Sequence, residues 1–290
     1  MFLIAGCGFL GSCIVKNLSE KANGERVIAV VRNEKNIPQI DGAEFVLCDV
    51  NNYGDLKNLK TECGDEKVKV VYLSAVHNID YVFQNPAEAL KTNVCALRNF
   101  LAVFDNIERI IYTSTDCVYG DKPYPHFFKE SDMLCPVNEY GKQKILAEKT
   151  VLGCGGKIAR MPLMLGPTPS PKKGFFDSCK EKLQNGQEID MLEGYLRSAL
   201  TFKDAAEYIV RLLTADDIPP IVNVCSDEVL SKYDIGCRLA DFFNCPRSLV
   251  KAIPETEGAK FYKEVRAKSA LMDNSLLKST LGLTEIPFRF

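Results

Sequence analysis

The chain has 290 residues, enough for one large domain or two smaller ones with a substantial core. With 36 Lys and Arg against 38 Asp and Glu, the formal net charge of −2 leaves nucleic acid and membrane surfaces out of the expected partners. Twelve cysteines run from Cys7 to Cys245 without a C-x-x-C pair and with only two histidines, His77 and His126, so neither a metal centre nor a secreted disulfide scaffold is expected. The pattern instead reads as reduced, mostly buried thiols of a cytoplasmic protein. Phe2–Ala5 is a short apolar run, a buried strand and not a signal peptide, because it lacks a basic flank and leads straight into glycines. No apolar stretch approaches a membrane span. A helix is predicted over Leu10–Leu18, strands over Arg26–Val31 and Phe45–Leu47, a helix over Tyr53–Cys63, and a strand over Val68–Leu73. A long helix over Pro86–Phe104 opens with proline, followed by a strand at Arg109–Thr113, a helix at Glu139–Leu152 and a strand at Lys157–Met161. This alternation predicts an α/β fold, a doubly wound parallel Rossmann-type sheet with helices on both faces.

The segment Pro162–Gly174 carries four prolines and two glycines and marks a boundary. A dinucleotide-binding domain over residues 1–165 is expected, then a smaller substrate-binding domain over 166–290 with helices near Phe175–Asn185 and Lys232–Phe243. The helix Asp204–Leu213 and the strand Ile221–Val224, within 201–224, are expected to return to the first domain.

Gly6-Cys-Gly8-Phe-Leu-Gly11 is a G-x-G-x-x-G directly after the first strand and opening a helix. Glycines there permit a tight turn and close backbone approach to a pyrophosphate, and the helix N-terminus supplies free N–H groups. At the end of the second strand, where an acid would take the ribose 2′-hydroxyl of NAD, the chain has Arg32. Arginine suits a 2′-phosphate, which favours NADP over NAD; the other reading is an arginine stacked on adenine or lying in solvent. Asp49 either accepts from the adenine amino group or caps the helix that follows.

Tyr140 and Lys144 stand four residues apart on one face of a helix. An ammonium near a phenol favours the phenolate and lowers its pKa toward a useful acid–base range. Thr115-Asp-Cys-Val-Tyr-Gly120, then Pro136-Val-Asn-Glu-Tyr140-Gly-Lys-Gln-Lys144 and Glu148, resemble the extended short-chain dehydrogenases/reductases of the NAD-dependent epimerase/dehydratase type. The resemblance implies that Thr115 bonds the substrate oxygen, that Tyr140 is the acid–base, and that Lys144 tunes it and holds the nicotinamide ribose. It also implies a cofactor set of Gly6, Gly8, Phe9, Leu10, Gly11, Arg32, Asp49, Val50, Ser74, Ala75, Val76, Asn93, Thr113, Tyr140, Lys144 and Pro162. Arg197 and Arg266, with Thr115, are its implied substrate contacts, the arginines meeting sugar-nucleotide phosphates. A homodimer through the helices Pro86–Phe104 and Glu139–Leu152 is a family expectation. The stretch Arg266–Asp273 resembles the tail of dTDP-4-dehydrorhamnose reductases, with Ala267 in place of proline; likewise Ala5 stands where the family usually has its first glycine.

Dehydratases resembling this chain place Asp-Glu after the threonine; here Asp116 is followed by Cys117, which removes the second acid–base group. Reduction of a 4-keto sugar nucleotide is therefore the leading expectation, with a 4-epimerase retaining NAD and a non-catalytic dinucleotide sensor or regulatory subunit as alternatives. His77 reads as a packed or hydrogen-bonded side chain, Lys172-Lys173 as a solvated pair, and Phe175-Phe176 as core.

Overall fold

Runs of aliphatic and β-branched residues, each followed by an amphipathic segment, build alternating strands and helices in the computed structural model, which describes residues 1–21 and 24–290. In chain order these are β1 (Phe2–Ala5), α1 (Phe9–Lys21), β2 (Val27–Val31), β3 (Glu44–Leu47), α2 (Tyr53–Cys63), β4 (Val68–Tyr72) and α3 (Ile79–Gln84). Next come α4 (Pro86–Leu90), a π turn (Lys91–Cys95), α5 (Ala96–Val103), β5 (Ile107–Thr115), α6 (Glu139–Gly153), β6 (Lys157–Met161) and β7 (Leu163–Leu165). The remainder comprises α7 (Phe175–Gln184), β8 (Ile189–Leu192), β9 (Leu196–Thr201), α8 (Phe202–Thr214), β10 (Ile221–Asn223), β11 (Val229–Leu230), α9 (Lys232–Phe242), β12 (Val250–Ile253), β13 (Ser269–Ala270) and α10 (Ser275–Leu281).

Seven parallel strands form the main sheet in the order β3-β2-β1-β4-β5-β6-β10. The order reverses between β1 and β4, which opens a crevice at the carboxyl ends of those strands. Side chains alternate across the sheet. Ile4, Val71 and Ile111 pack with Ile14, Ile209 and Leu277 on the face covered by α1, α8 and α10. Leu3, Val70 and Tyr112 pack with Leu56, Phe100 and Ala147 on the face covered by α2, α5 and α6. The fold is thus a Rossmann-type α/β sandwich, and β10 and α8 return to it from late in the chain. A smaller unit pairs β7, β11 and β13 with β9, and β8 with β12, around Phe176, Leu183, Ile189, Leu239 and Phe288. No helix among the described residues is long and apolar enough to cross a membrane.

Two differences from the sequence reading have clear causes. The helix expected over Pro86–Phe104 is interrupted by the π turn, which brings buried Asn93 into the interior. The strands β7, β8, β9, β11, β12 and β13 were not expected; several have only two to four residues and exist through long-range pairing, as Ser269–Ala270 does on Leu196–Arg197.

A buried polar network ties the sheet to α6. Arg160 on β6 donates to both carboxylate oxygens of Glu148, at 3.1 and 2.8 Å, with both side chains at most 3% exposed. Its Nη1 also donates to the Tyr119 hydroxyl at 2.9 Å, which in turn donates to Asn223 Oδ1 at 2.6 Å. Asn223 donates to the Phe128 and Asp273 carbonyls and, from its backbone, to Glu130. Arg160→Met leaves a buried, unpaired carboxylate and is expected to cost about 3–5 kcal/mol in urea unfolding; Arg160→Met with Glu148→Leu is expected to recover most of it.

Candidate active site

The glycine loop lies where β1 hands over to α1, at the crevice. Gly6 takes φ +122°, and a Cβ there would stand 2.9 Å from the Ser74 backbone nitrogen. A Cβ on Gly11 would meet the Gly6 carbonyl oxygen at 2.2 Å, so strand and helix approach only because both lack side chains. A Cβ on Gly8 would meet nothing within 4 Å: the backbone there faces open space. Ala5, where the family's first glycine usually stands, is buried in β1, and its carbonyl accepts from Leu73 N, Ser74 N and the Ser74 hydroxyl. The first turn of α1 carries no acid, so its N-terminal amides are electrostatically free for an anion. Leu10 and Val50 are buried in the two cores and offer only backbone. Phe9 lies beside Phe202 and under Gly174, which sets the 170–174 segment over the loop.

Arg32, Asp49 and Val76 line one open cavity of about 680 Å³, together with Asn51, Tyr81, Glu88, Lys91, Thr92, Cys95 and Asn99. Asn52, and not Asp49, caps α2; Asp49 instead accepts from Asn51. The chemistry of this set suits a dinucleotide: a glycine-lined helix terminus and a polar hollow lined by Arg32 and Asp49. Asn93 lies to one side. Its amide accepts from Val76 N at 2.7 Å and donates to Val76 O and Gln143 Oε1, so it braces the loop Ser74-Ala75-Val76 against α6. Pro162 is buried between β6 and β7. Cavity residues on the π turn escaped the sequence reading; their signal is the polar spacing Lys91, Cys95, Asn99 along one helical face.

Thr115 ends β5 and Tyr140 and Lys144 stand on the first turns of α6, where Asn138 caps the helix by accepting from Gly141 N. A Cβ on Gly141 would lie 2.4 Å from the Cys117 carbonyl, so the start of α6 packs closely on the turn after β5, and Thr115, Tyr140 and Lys144 are each buried there. The Thr115 hydroxyl donates to Asp116 Oδ1 at 3.0 Å and accepts from Cys117 N. Lys144 Nζ donates to the Thr113 carbonyl at 2.6 Å. Burial pushes the Lys144 pKa down to about 7, with Glu148 and Cys117 opposing. Burial likewise raises the Tyr140 phenol, and Cys117 and Asp116 add to the effect. The expectation of a lowered phenol pKa is thereby corrected: in this state desolvation wins, and Tyr140 is a protonated donor. Burial also lifts the Cys117 thiol to about 12, so it is neutral.

Neither arginine expected to meet substrate is free. Arg197 Nε sits 3.8 Å from Asp116 Oδ2, and its other nitrogens donate to the Leu196, Lys268 and Ala267 carbonyls. Arg266 donates to Asp80 Oδ1 at 2.9 Å and to the Glu264 carbonyl, with its guanidinium 4.8 Å from the Tyr262 ring centroid. The Lys263 and Glu264 amides also donate to Asp80. Burial works against the Asp80 charge, but these donors outweigh it and hold its pKa below the usual carboxylate range. The tail therefore straps α3 to β9. His77 lies in the loop between β4 and α3 and is exposed, where a packed side chain was expected. Lys172 and Lys173 are both exposed, the solvated pair expected, and Lys173 also pairs with Glu181 on the surface.

Gly8→Ala is expected to leave the melting temperature unchanged while weakening dinucleotide binding at least about tenfold in fluorescence titration; Gly11→Ala is expected to lose about 1–3 kcal/mol of stability. A second expectation concerns pH. The unfolded chain protonates Lys144 up to about pH 10.4, the folded one only to about 7. Between these limits the unfolded state binds more protons, so this lysine makes stability climb with pH. Melting curves of Lys144→Met are expected to show a flatter climb from neutral to alkaline pH.

Residues 2–225 match the model of the NAD dependent epimerase/dehydratase family. The chain is 29% identical over 231 residues to methionine adenosyltransferase 2 subunit beta from Rattus norvegicus, spanning 76% of this chain and 67% of that protein. Among solved structures, a hypothetical dTDP-4-dehydrorhamnose reductase from Sulfolobus tokodaii superposes with a TM-score of 0.77 at 23% identity, covering 98% of this chain and 96% of that one. The UDP-glucose 4-epimerase of Thermus thermophilus in complex with NAD superposes with a TM-score of 0.82 at 19% identity, covering 96% and 92%. With the glycine loop, the crevice and the Thr115–Tyr140–Lys144 site in place, the chain belongs to the NAD dependent epimerase/dehydratase family.

Proposed function

We propose that the protein is an NAD(P)H-dependent reductase of a 4-keto sugar nucleotide. The observation that carries this reading is that Thr115, Tyr140 and Lys144 are all buried, at the end of β5 and on the first turns of α6, where Gly141 packs against the Cys117 carbonyl. The open face of Gly8 and the hollow lined by Arg32 and Asp49 fit a dinucleotide, which when bound supplies hydride to the carbonyl carbon. Tyr140 gives its phenolic proton to the carbonyl oxygen as that oxygen gains charge, so the C=O group becomes H–C–OH. Thr115 turns its hydroxyl from Asp116 to the same oxygen and fixes its position. The Lys144 ammonium lies one helical turn away and stabilises the phenolate that Tyr140 becomes. Arg32 favours NADPH over NADH through the 2′-phosphate. The neutral Cys117 thiol disfavours dehydration, which requires a second acid–base group. The kinship with known sugar-nucleotide enzymes of this fold supports the substrate class.

A second reading is favoured by the engaged arginines. With Arg197 and Arg266 held by the chain's own carboxylates and carbonyls, the protein can serve as a dinucleotide-binding, non-catalytic subunit of a larger assembly. Its likeness to a methionine adenosyltransferase subunit supports this reading.

Purified protein mixed with NADPH and a dTDP-4-keto-6-deoxy sugar decides between them. The reductase reading expects stoichiometric loss of nicotinamide absorbance, and a fall of about 100-fold or more in Tyr140→Phe with NADPH affinity kept. Tight NADPH binding without turnover in the wild type rejects that substrate and supports the subunit reading.

A further inference from the structure

The Lys144 amine lies between a backbone carbonyl and an aromatic ring. It is 2% exposed, and its Nζ donates to one acceptor, the Thr113 carbonyl. Glu148, one turn along α6, is held through both oxygens by Arg160. The other titratable groups around Lys144 are Cys117 beyond β5, whose thiol is neutral, His77 beyond β4, and Tyr140 one turn back on α6. Among the described residues, no carboxylate free of an arginine faces it.

What faces it is an aromatic ring. Nζ lies 4.1 Å from the centroid of Tyr112 on β5, well inside the range where the negative face of a ring attracts a cation. The ring is 1% exposed and packed beside Tyr72, with centroids 6.2 Å apart. The Tyr112 hydroxyl is buried and makes no hydrogen bond. The position therefore uses the ring and not the phenol group.

We propose that Tyr112 is a positioning residue for Lys144, its ring face holding the ε-ammonium protonated and in place one helical turn from Tyr140. This rests on reading the site as an acid–base centre. The attraction exists only for the charged amine, so it raises the pKa of Lys144 against the desolvation that lowers it, and removing the ring lowers that pKa further.

The test follows the ¹³Cε resonance of Lys144, identified by its absence from Lys144→Met, through a pH titration of the full chain. Tyr112→Phe keeps the ring and is expected to titrate with the wild type. Tyr112→Leu is expected to shift the midpoint down by about one pH unit. Pentafluorophenylalanine at position 112 keeps the shape with an electron-poor face, so it makes the same comparison if the leucine variant does not fold. It is also expected to shift the midpoint down. A pentafluoro variant titrating with the wild type overturns the proposal, as does a Phe variant shifted as far as the Leu one. The titration needs no substrate, so it separates two failures. A shifted midpoint in a protein without reductase turnover removes the proposed reaction and keeps the positioning role; an unshifted midpoint in an active reductase removes the positioning role alone.

Discussion

The bidentate pair between Arg160 and Glu148 is the constraint on which the site depends. It joins β6 to α6 inside the protein, and α6 carries Tyr140 and Lys144. A buried ion pair of this kind contributes little net stability, because desolvation offsets most of its attraction; its effect is to make other dockings of the helix costly. Through the Tyr119 hydroxyl and Asn223 the same network reaches the Phe128 and Asp273 carbonyls, so the sheet, the loop after β5 and the tail share one set of donors. It also takes up the only carboxylate one turn from Lys144 on α6, which leaves that ammonium to a carbonyl and a ring.

The crevice consequently has two ends of different character. At the glycine loop the backbone is exposed, anion-ready amides are unopposed, and a polar hollow lies open. At the tail, side chains that suit a diphosphate are already satisfied by Asp80, Asp116 and backbone carbonyls. Between them Tyr140 and Lys144 are buried, with their pKa values moved by desolvation more than by one another.

What was legible in the sequence was local. The glycine loop, the Thr115 turn and the Tyr140–Lys144 spacing are each set within a few residues, by backbone sterics or helical period. The parallel sheet followed from the alternation of apolar runs with amphipathic ones. What escaped depends on partners far away in the chain: Arg266 finds Asp80 across 186 positions, and β13 is a strand only because β9 runs beside it. The direction of the Tyr140 shift escaped for a related reason. Spacing shows that an ammonium is near, but burial comes from the whole packed site, and burial prevailed. The π turn has no composition signal, since Lys91–Cys95 reads as ordinary helix.

The strap formed by Asp80 and Arg266 makes the chain its own competitor. A tethered carboxylate acts at an effective concentration on the order of millimolar or above, so a free anion in solution has to outcompete it to reach the guanidinium. A small ion such as inorganic phosphate gains too little from one arginine to do so. Under the proposed function, a ligand that carries two linked phosphates and a sugar recovers the loss by engaging Arg197, Arg266 and Thr115 together. Selectivity for a large, multiply charged ligand would then come from what must be displaced as much as from what is contacted.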